Sequence, residues 1–107
     1  MEVLPQLRSK DGGVRVVVNT EKLNQIIEKY GKQHQLYKVV EELSELQTLV
    51  IQEANDNGKV PVGRISEEIA DAYVVLKQLE IIKCLDDRDI QPIIDYKIER
   101  TLNRANE

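Results

Sequence analysis

Tryptophan and phenylalanine are absent from this chain of 107 residues, and tyrosine occurs four times. The core must therefore be aliphatic, and few rings are at hand to stack on a ligand. The single Cys84 excludes an internal disulfide and is consistent with a reducing cytoplasm. Gly12 and Gly13 lack the third glycine and the Lys-Ser/Thr pair that a phosphate loop requires, which sets that class of nucleotide binder aside. No apolar run approaches membrane-spanning length, and Met1-Glu2-Val3 leads into no signal-peptide core, so neither membrane nor export is expected. Basic residues are in deficit, 15 Lys and Arg against 19 Asp and Glu for a net charge of −4, which is the reverse of a general nucleic-acid binder. What remains is one small, soluble, intracellular domain. A helical bundle of this size often completes its burial against further copies of itself.

Two short acidic sets organise the chain: Glu41-Glu42-Leu43-Ser44-Glu45 and Glu67-Glu68-Ile69-Ala70-Asp71. On a helix, the three carboxylates of each set fall within an arc of about 100°. Two such arcs packed face to face would gather up to six carboxylates around one small volume. Charges a few Å apart in a partly dry site interact by several kcal/mol, so a cation is expected between them. Oxygen-only ligands suit a hard divalent ion, Mg²⁺ best, with Mn²⁺ able to substitute. Without those six carboxylates the remaining sequence is slightly basic.

Residues 1–19 read apart from the rest, as a loosely attached arm or as a β-hairpin in which Val3 to Leu7 and Val14 to Val18 flank Gly12-Gly13. Residues 20–107 read as one helical domain. Thr20 is the expected N-cap of a short helix over 21–30 that Gly31 closes. A long helix over about 32–55 carries Leu36, Val39, Leu43, Leu46 and Val50 as an apolar stripe opposite its carboxylates. Asn55-Asp56-Asn57-Gly58 stops it. A third helix over about 64–83 has Ile65, Ile69, Ala72, Leu76 and Leu79 opposite Glu67, Glu68 and Asp71. Ala70, Val74 and Val75 make it apolar on nearly every other side, which predicts burial against a second subunit. A fourth helix starts near Asp86-Asp87 and runs to about Asn103, with Pro92 delaying its start or bending it.

Taken singly, Glu-Glu-x-x-Glu is a solvated helix face, with Lys38 in ordinary i, i+3 and i, i+4 salt bridges. Two matching copies point the other way. Leu49 and Val75 stand one turn beyond Glu45 and Asp71 on the acidic side, where a solvated face would continue polar.

The run Gln35-x-x-Lys38-x-x-Glu41-Glu42-x-x-Glu45-Leu46, then Glu67-Glu68-Ile69-Ala70-Asp71 and Leu76-x-Gln78-Leu79, resembles the smaller, phage-type members of the MazG-like all-α nucleoside triphosphate pyrophosphohydrolases. Lys97-x-x-Arg100-x-x-x-Arg104 is similar to the basic C-terminal helix of that family, and the likeness spans roughly residues 32–104. The resemblance implies a four-helix, oligomeric all-α bundle and cleavage of a nucleoside triphosphate between its α and β phosphates, giving the monophosphate and pyrophosphate. It implies Glu42, Glu45, Glu68 and Asp71 as Mg²⁺ ligands, Glu41 close to the metal, and Lys97 and Arg104 at the triphosphate. Thr101 stands where the family often carries Asn, a departure that touches sugar or phosphate contacts.

A carboxylate not fully engaged with metal can accept the proton of the attacking water, and Glu41 and Glu45 are the candidates. Lys38, one turn before Glu41, is placed either for a phosphate or for a salt bridge. His34 can reach a base or ribose, or is a partly exposed helix histidine. Tyr73 and Tyr96 read as core or interface residues, and Cys84 as a small buried hydrophobe or a residue by a helix end. The expected function is Mg²⁺-dependent pyrophosphohydrolysis in cytoplasmic nucleotide-pool control, by a homodimer or homotetramer that binds neither nucleic acid nor membrane. The alternatives are a phosphoribosyl-ATP pyrophosphohydrolase-like enzyme, or a non-catalytic helical adaptor whose carboxylates pair with a basic partner.

Overall fold

A computed structural model describes residues 4–5 and 15–106 of the chain. Four helices follow one another, α1 (Thr20–Tyr30), α2 (Lys32–Asn55), α3 (Val62–Ile82) and α4 (Asp87–Ala105), and no strand occurs among the described residues. The fold is all-α. Of the N-terminal segment, residues 4–5 and 15–19 carry no regular structure. The remainder of the expected arm or hairpin lies outside the described residues.

Each helix begins and ends for a local reason. Asn19, not Thr20, caps α1: its backbone is extended and its side-chain oxygen accepts from the Lys22 N–H at 3.0 Å. Gly31 joins α1 to α2 with φ +93°, where an L side chain would be strained. Its N–H closes α1 on the Ile27 carbonyl, and its own carbonyl opens α2 by accepting from Gln35. Asn57 and Gly58, both at positive φ, turn the chain after α2. Helix α3 starts earlier than its apolar spacing suggests, because the Pro61 carbonyl already accepts from Arg64 and Ile65. At α4 the side chains of Asp86 and Asp89 each accept from the other residue's end of a capping box. That cap sets the start at Asp87 despite Pro92, which leaves the Arg88 carbonyl without its usual helical partner.

Helices α2 and α3 pair, and α1 packs against both. The core holds Leu23 and Ile27 of α1, Val39 and Leu49 of α2, Ala72 and Val75 of α3, and Val60 from the connecting loop. The expected stripes are corrected here. Leu36, Val50, Ile69 and Leu76 are exposed, and Leu43, Leu46, Ile65 and Leu79 only half-buried. Of the expected stripes Val39 and Ala72 are buried, and the buried line of α2 joins Val39 to Gln35 and Leu49, on the side that carries Glu42. The paired helices therefore turn their acidic side inward.

Helix α4 stands apart. Among the described residues its backbone approaches none of α1, α2 or α3. At its start Lys77 of α3 bridges Glu80 and Asp87. The radius of gyration is 16.3 Å, against about 13 Å for a compact chain of this length. Ile94, Ile98 and Leu102, spaced by four on one face of α4, are all exposed. So are Tyr73 and Tyr96, and Cys84 sits exposed at positive φ just past the end of α3; none of the three is a core residue of the single chain.

Candidate metal centre and adjoining cavity

The i, i+3 and i, i+4 spacing of Glu41, Glu42 and Glu45 brings one oxygen from each within 4.8 Å of the others. Glu42, Glu68 and Asp71 meet under the same distance across the α2–α3 contact. Glu42 belongs to both groups, so five carboxylates form one connected cluster. Glu67, the sixth, is exposed and joins neither group. Leu49, one turn beyond Glu45, and Val75, one turn beyond Asp71, are 2% and 5% exposed and stand at opposite ends of the cluster, because the two helices run antiparallel.

Burial is uneven across the cluster. Glu41 and Glu45 are exposed, whereas Glu42, Glu68 and Asp71 are half-buried. One oxygen each of Glu42 and Glu68 is shut off from solvent without a hydrogen-bond partner. Such an oxygen is costly to leave unsatisfied, and more so when it is charged. Burial foremost, then the charges of Glu45 and Asp71, pushes the Glu42 carboxyl above its ordinary range. The same three causes raise Glu68, with Glu67 adding to them and Arg64 opposing. The donor set is carboxylate oxygen alone, anionic and, at Glu42 and Glu68, under-satisfied, and a hard divalent cation meets each of those conditions.

Lys38 is the nearest cation on α2. Its ammonium lies 3.2 Å from a Glu41 oxygen, and that hydrogen bond, then the Glu41 charge, raises its pKa.

Beside the carboxylates lies a cavity of about 370 Å³. Glu42, Asp71 and Lys38 line it, and so do Gln35 and Gln78, the two buried polar residues. Gln35 donates through Nε2 to Gln78 Oε1 at 2.7 Å, and its own Oε1 lies 2.7 Å from His34 Nδ1. The His34 ring stacks on Tyr30, with ring centroids 5.4 Å apart. Both rings line the cavity, whose remaining wall is aliphatic. The sequence pattern does not by itself single out Tyr30, Gln35 and Gln78 as site residues. The i, i+7 spacing of Gln35 to Glu42 and of Asp71 to Gln78 is the signal that places them on the carboxylate side.

The expected substrate residues separate into two groups. His34 and Lys38 share the cavity with the carboxylates. Lys97 and Arg104 lie on α4, whose backbone approaches neither α2 nor α3 in the single chain, the Lys77–Asp87 pair at its start aside. Arg100 lies over the Tyr96 ring, its centre 5.8 Å from the centroid, and Asp95 accepts from Gln91.

No helix of the described residues is long and apolar enough to cross a membrane. No protein-family model, no curated protein and no solved structure matches this chain.

Proposed function

We propose that this chain is a Mg²⁺-dependent nucleoside triphosphate pyrophosphohydrolase of the MazG-like kind, cleaving between the α and β phosphates to release a monophosphate and pyrophosphate in cytoplasmic nucleotide-pool control. The observation that carries the reading is the pair of carboxylate groups joined through Glu42, with buried, unsatisfied oxygens on Glu42 and Glu68. Glu42, Glu45, Glu68 and Asp71 would hold the ion. Bound there, Mg²⁺ (or Mn²⁺) supplies charge neutralisation and Lewis acidity for phosphoryl transfer.

The chain's own groups divide the remaining work. Glu41 and Glu45 are the solvent-facing carboxylates of the cluster, and one of them accepts the proton of the attacking water. Lys38 lines the cavity and reaches toward the polyphosphate, its ammonium oriented by Glu41. His34 lies along the cavity toward the base. Lys97 and Arg104 complete the phosphate site when α4 docks on another copy, in a homodimer or homotetramer. The exposed Ile94, Ile98 and Leu102 stripe supports that association, since apolar residues lined up on one helix face can be buried against a second copy.

The test is pyrophosphate release from a panel of canonical and modified nucleoside triphosphates, in Mg²⁺ and in EDTA. Mg²⁺-dependent formation of monophosphate and pyrophosphate is expected. Absence of turnover on every member, with Mg²⁺ and with Mn²⁺, overturns the reading. Phosphoribosyl-ATP is included in the panel because that branch shares the metal chemistry. A fold that tolerates Glu45→Gln and binds no Mg²⁺ would favour the adaptor.

A further inference from the structure

Gln35 and Gln78 are 5% and 3% exposed, yet they stand on the wall of an open cavity. A buried amide pair is expensive unless its donors and acceptors are used. His34 Nδ1, Gln35 and Gln78 form a chain of hydrogen bonds with a direction. With Nδ1–H donating to Gln35 Oε1, the Gln35 amide nitrogen donates to Gln78 Oε1. The Gln78 nitrogen is then the last donor of the chain, and it has no acceptor among the described residues.

Register fixes how far this donor lies from the carboxylates. Gln35 meets Gln78, and seven residues along each helix Glu42 meets Asp71. Seven residues of α-helix span about 10 Å. A nucleotide with its phosphates at the carboxylates and its base along the cavity presents the far edge of the base there. That edge is position 4 of a pyrimidine or position 6 of a purine. Carbonyl and amino bases differ at this position, and a terminal donor selects the carbonyl.

We propose that Gln78 is a specificity-determining residue that donates a hydrogen bond to the exocyclic carbonyl of a keto nucleobase, of uracil, thymine, hypoxanthine or guanine type, with Tyr30 and His34 flanking the base. This deepens the pyrophosphohydrolase reading and rests on it for the placement of the phosphates. His34 acts as a positioning residue, because its ring nitrogen sets the polarity of the amide chain. Glutamate at 78 keeps the acceptor that Gln35 needs and replaces the donor by a second acceptor.

The experiment compares kcat/KM for UTP against CTP and for ITP against ATP, in the unaltered protein and in Gln78→Glu. The keto substrates are expected to be favoured by about tenfold or more, because a mismatched edge leaves a buried polar group unpaired. In Gln78→Glu the ranking should level or invert. A preference for the amino bases, or a ranking that Gln78→Glu leaves unmoved in a natively folded protein, overturns the proposal. If Gln78→Glu fails to fold, His34→Phe keeps the ring at an exposed position and removes the nitrogen. Its keto-to-amino ratio should fall toward one, and an unchanged ratio overturns the proposal. If no triphosphate is turned over, the enzymatic reading fails and the cavity is probed by calorimetry with UMP and CMP in EDTA. Tighter binding of UMP that His34→Phe abolishes sustains the base site, whereas equal or absent binding overturns it too.

Discussion

Glu42 of α2 and Asp71 of α3 stand level with each other across the helix pair, two turns along from the Gln35–Gln78 hydrogen bond. One end of this contact holds like charges together, and the other holds a neutral polar pair.

Glu42→Gln removes the carboxylate common to both groups while leaving side-chain volume and helix intact. The metal-free variant should melt higher than the unaltered protein, since a buried, crowded charge is gone. Its thermal shift on adding Mg²⁺ should vanish, and turnover should fall by about a hundredfold or more, because even partners outside the ligand set cost 10–100-fold. Differential scanning fluorimetry with and without Mg²⁺ checks the first two, and pyrophosphate release the third.

Glu42 and Glu68 are both held above the ordinary carboxylate range by burial and neighbouring acids. Between the ordinary value and the raised one, the native state binds more protons than the unfolded state. Stability of the metal-free protein should therefore fall as pH rises through that window, and the melting temperature should be higher at about pH 5 than at about pH 7.5. Asp86, held below its ordinary value by Arg88, titrates beneath this window and does not offset the trend. Melts in EDTA across that range test the sign, and saturating Mg²⁺ should flatten the slope.

Leu49→Ala empties a site that is 2% exposed between the cluster and the core. A loss of about 2–5 kcal/mol is expected, as for other buried leucines. Urea denaturation measures it. A cost near zero would mean that this side of the cluster is not packed shut.

Ile98→Asp with Leu102→Asp charges the exposed stripe of α4. In the isolated chain these positions are about half exposed, so helix content should hold. Light scattering should report a monomer for the variant and a dimer or tetramer for the unaltered protein if the stripe is the proposed contact. Turnover should fall along with assembly, because Lys97 and Arg104 ride on the same helix.

Much of the scaffold was legible in the residues. Gly31 and the Asn55-to-Gly58 turn mark both ends of α2, and the acidic start of α4 falls where Asp86 and Asp89 form their box. What periodicity could not decide was which face of α2 and α3 turns inward. Leu36, Val50, Ile69 and Leu76 make the outer face as apolar as the inner one, so spacing alone favoured the wrong stripe. The choice rests on Gln35 and Gln78, polar residues that become cheap to bury only once they meet, and that meeting is a tertiary event. The cap of α1 was misplaced by one residue because Asn19 and Thr20 are both good caps, and the extended backbone of Asn19 decides between them. Cys84 was half legible: it lies by a helix end, but in the left-handed conformation and exposed.

The Gln35–Gln78 bond has a mechanical consequence for the whole α2–α3 pair. The carboxylates of Glu42, Glu68 and Asp71 do not select one register of the two helices, whereas the amide bond does. A slide of α3 by one turn would break that bond and strand two buried polar groups. The pair is thus pinned at its amide end, which fixes the spacing of the carboxylates two turns away.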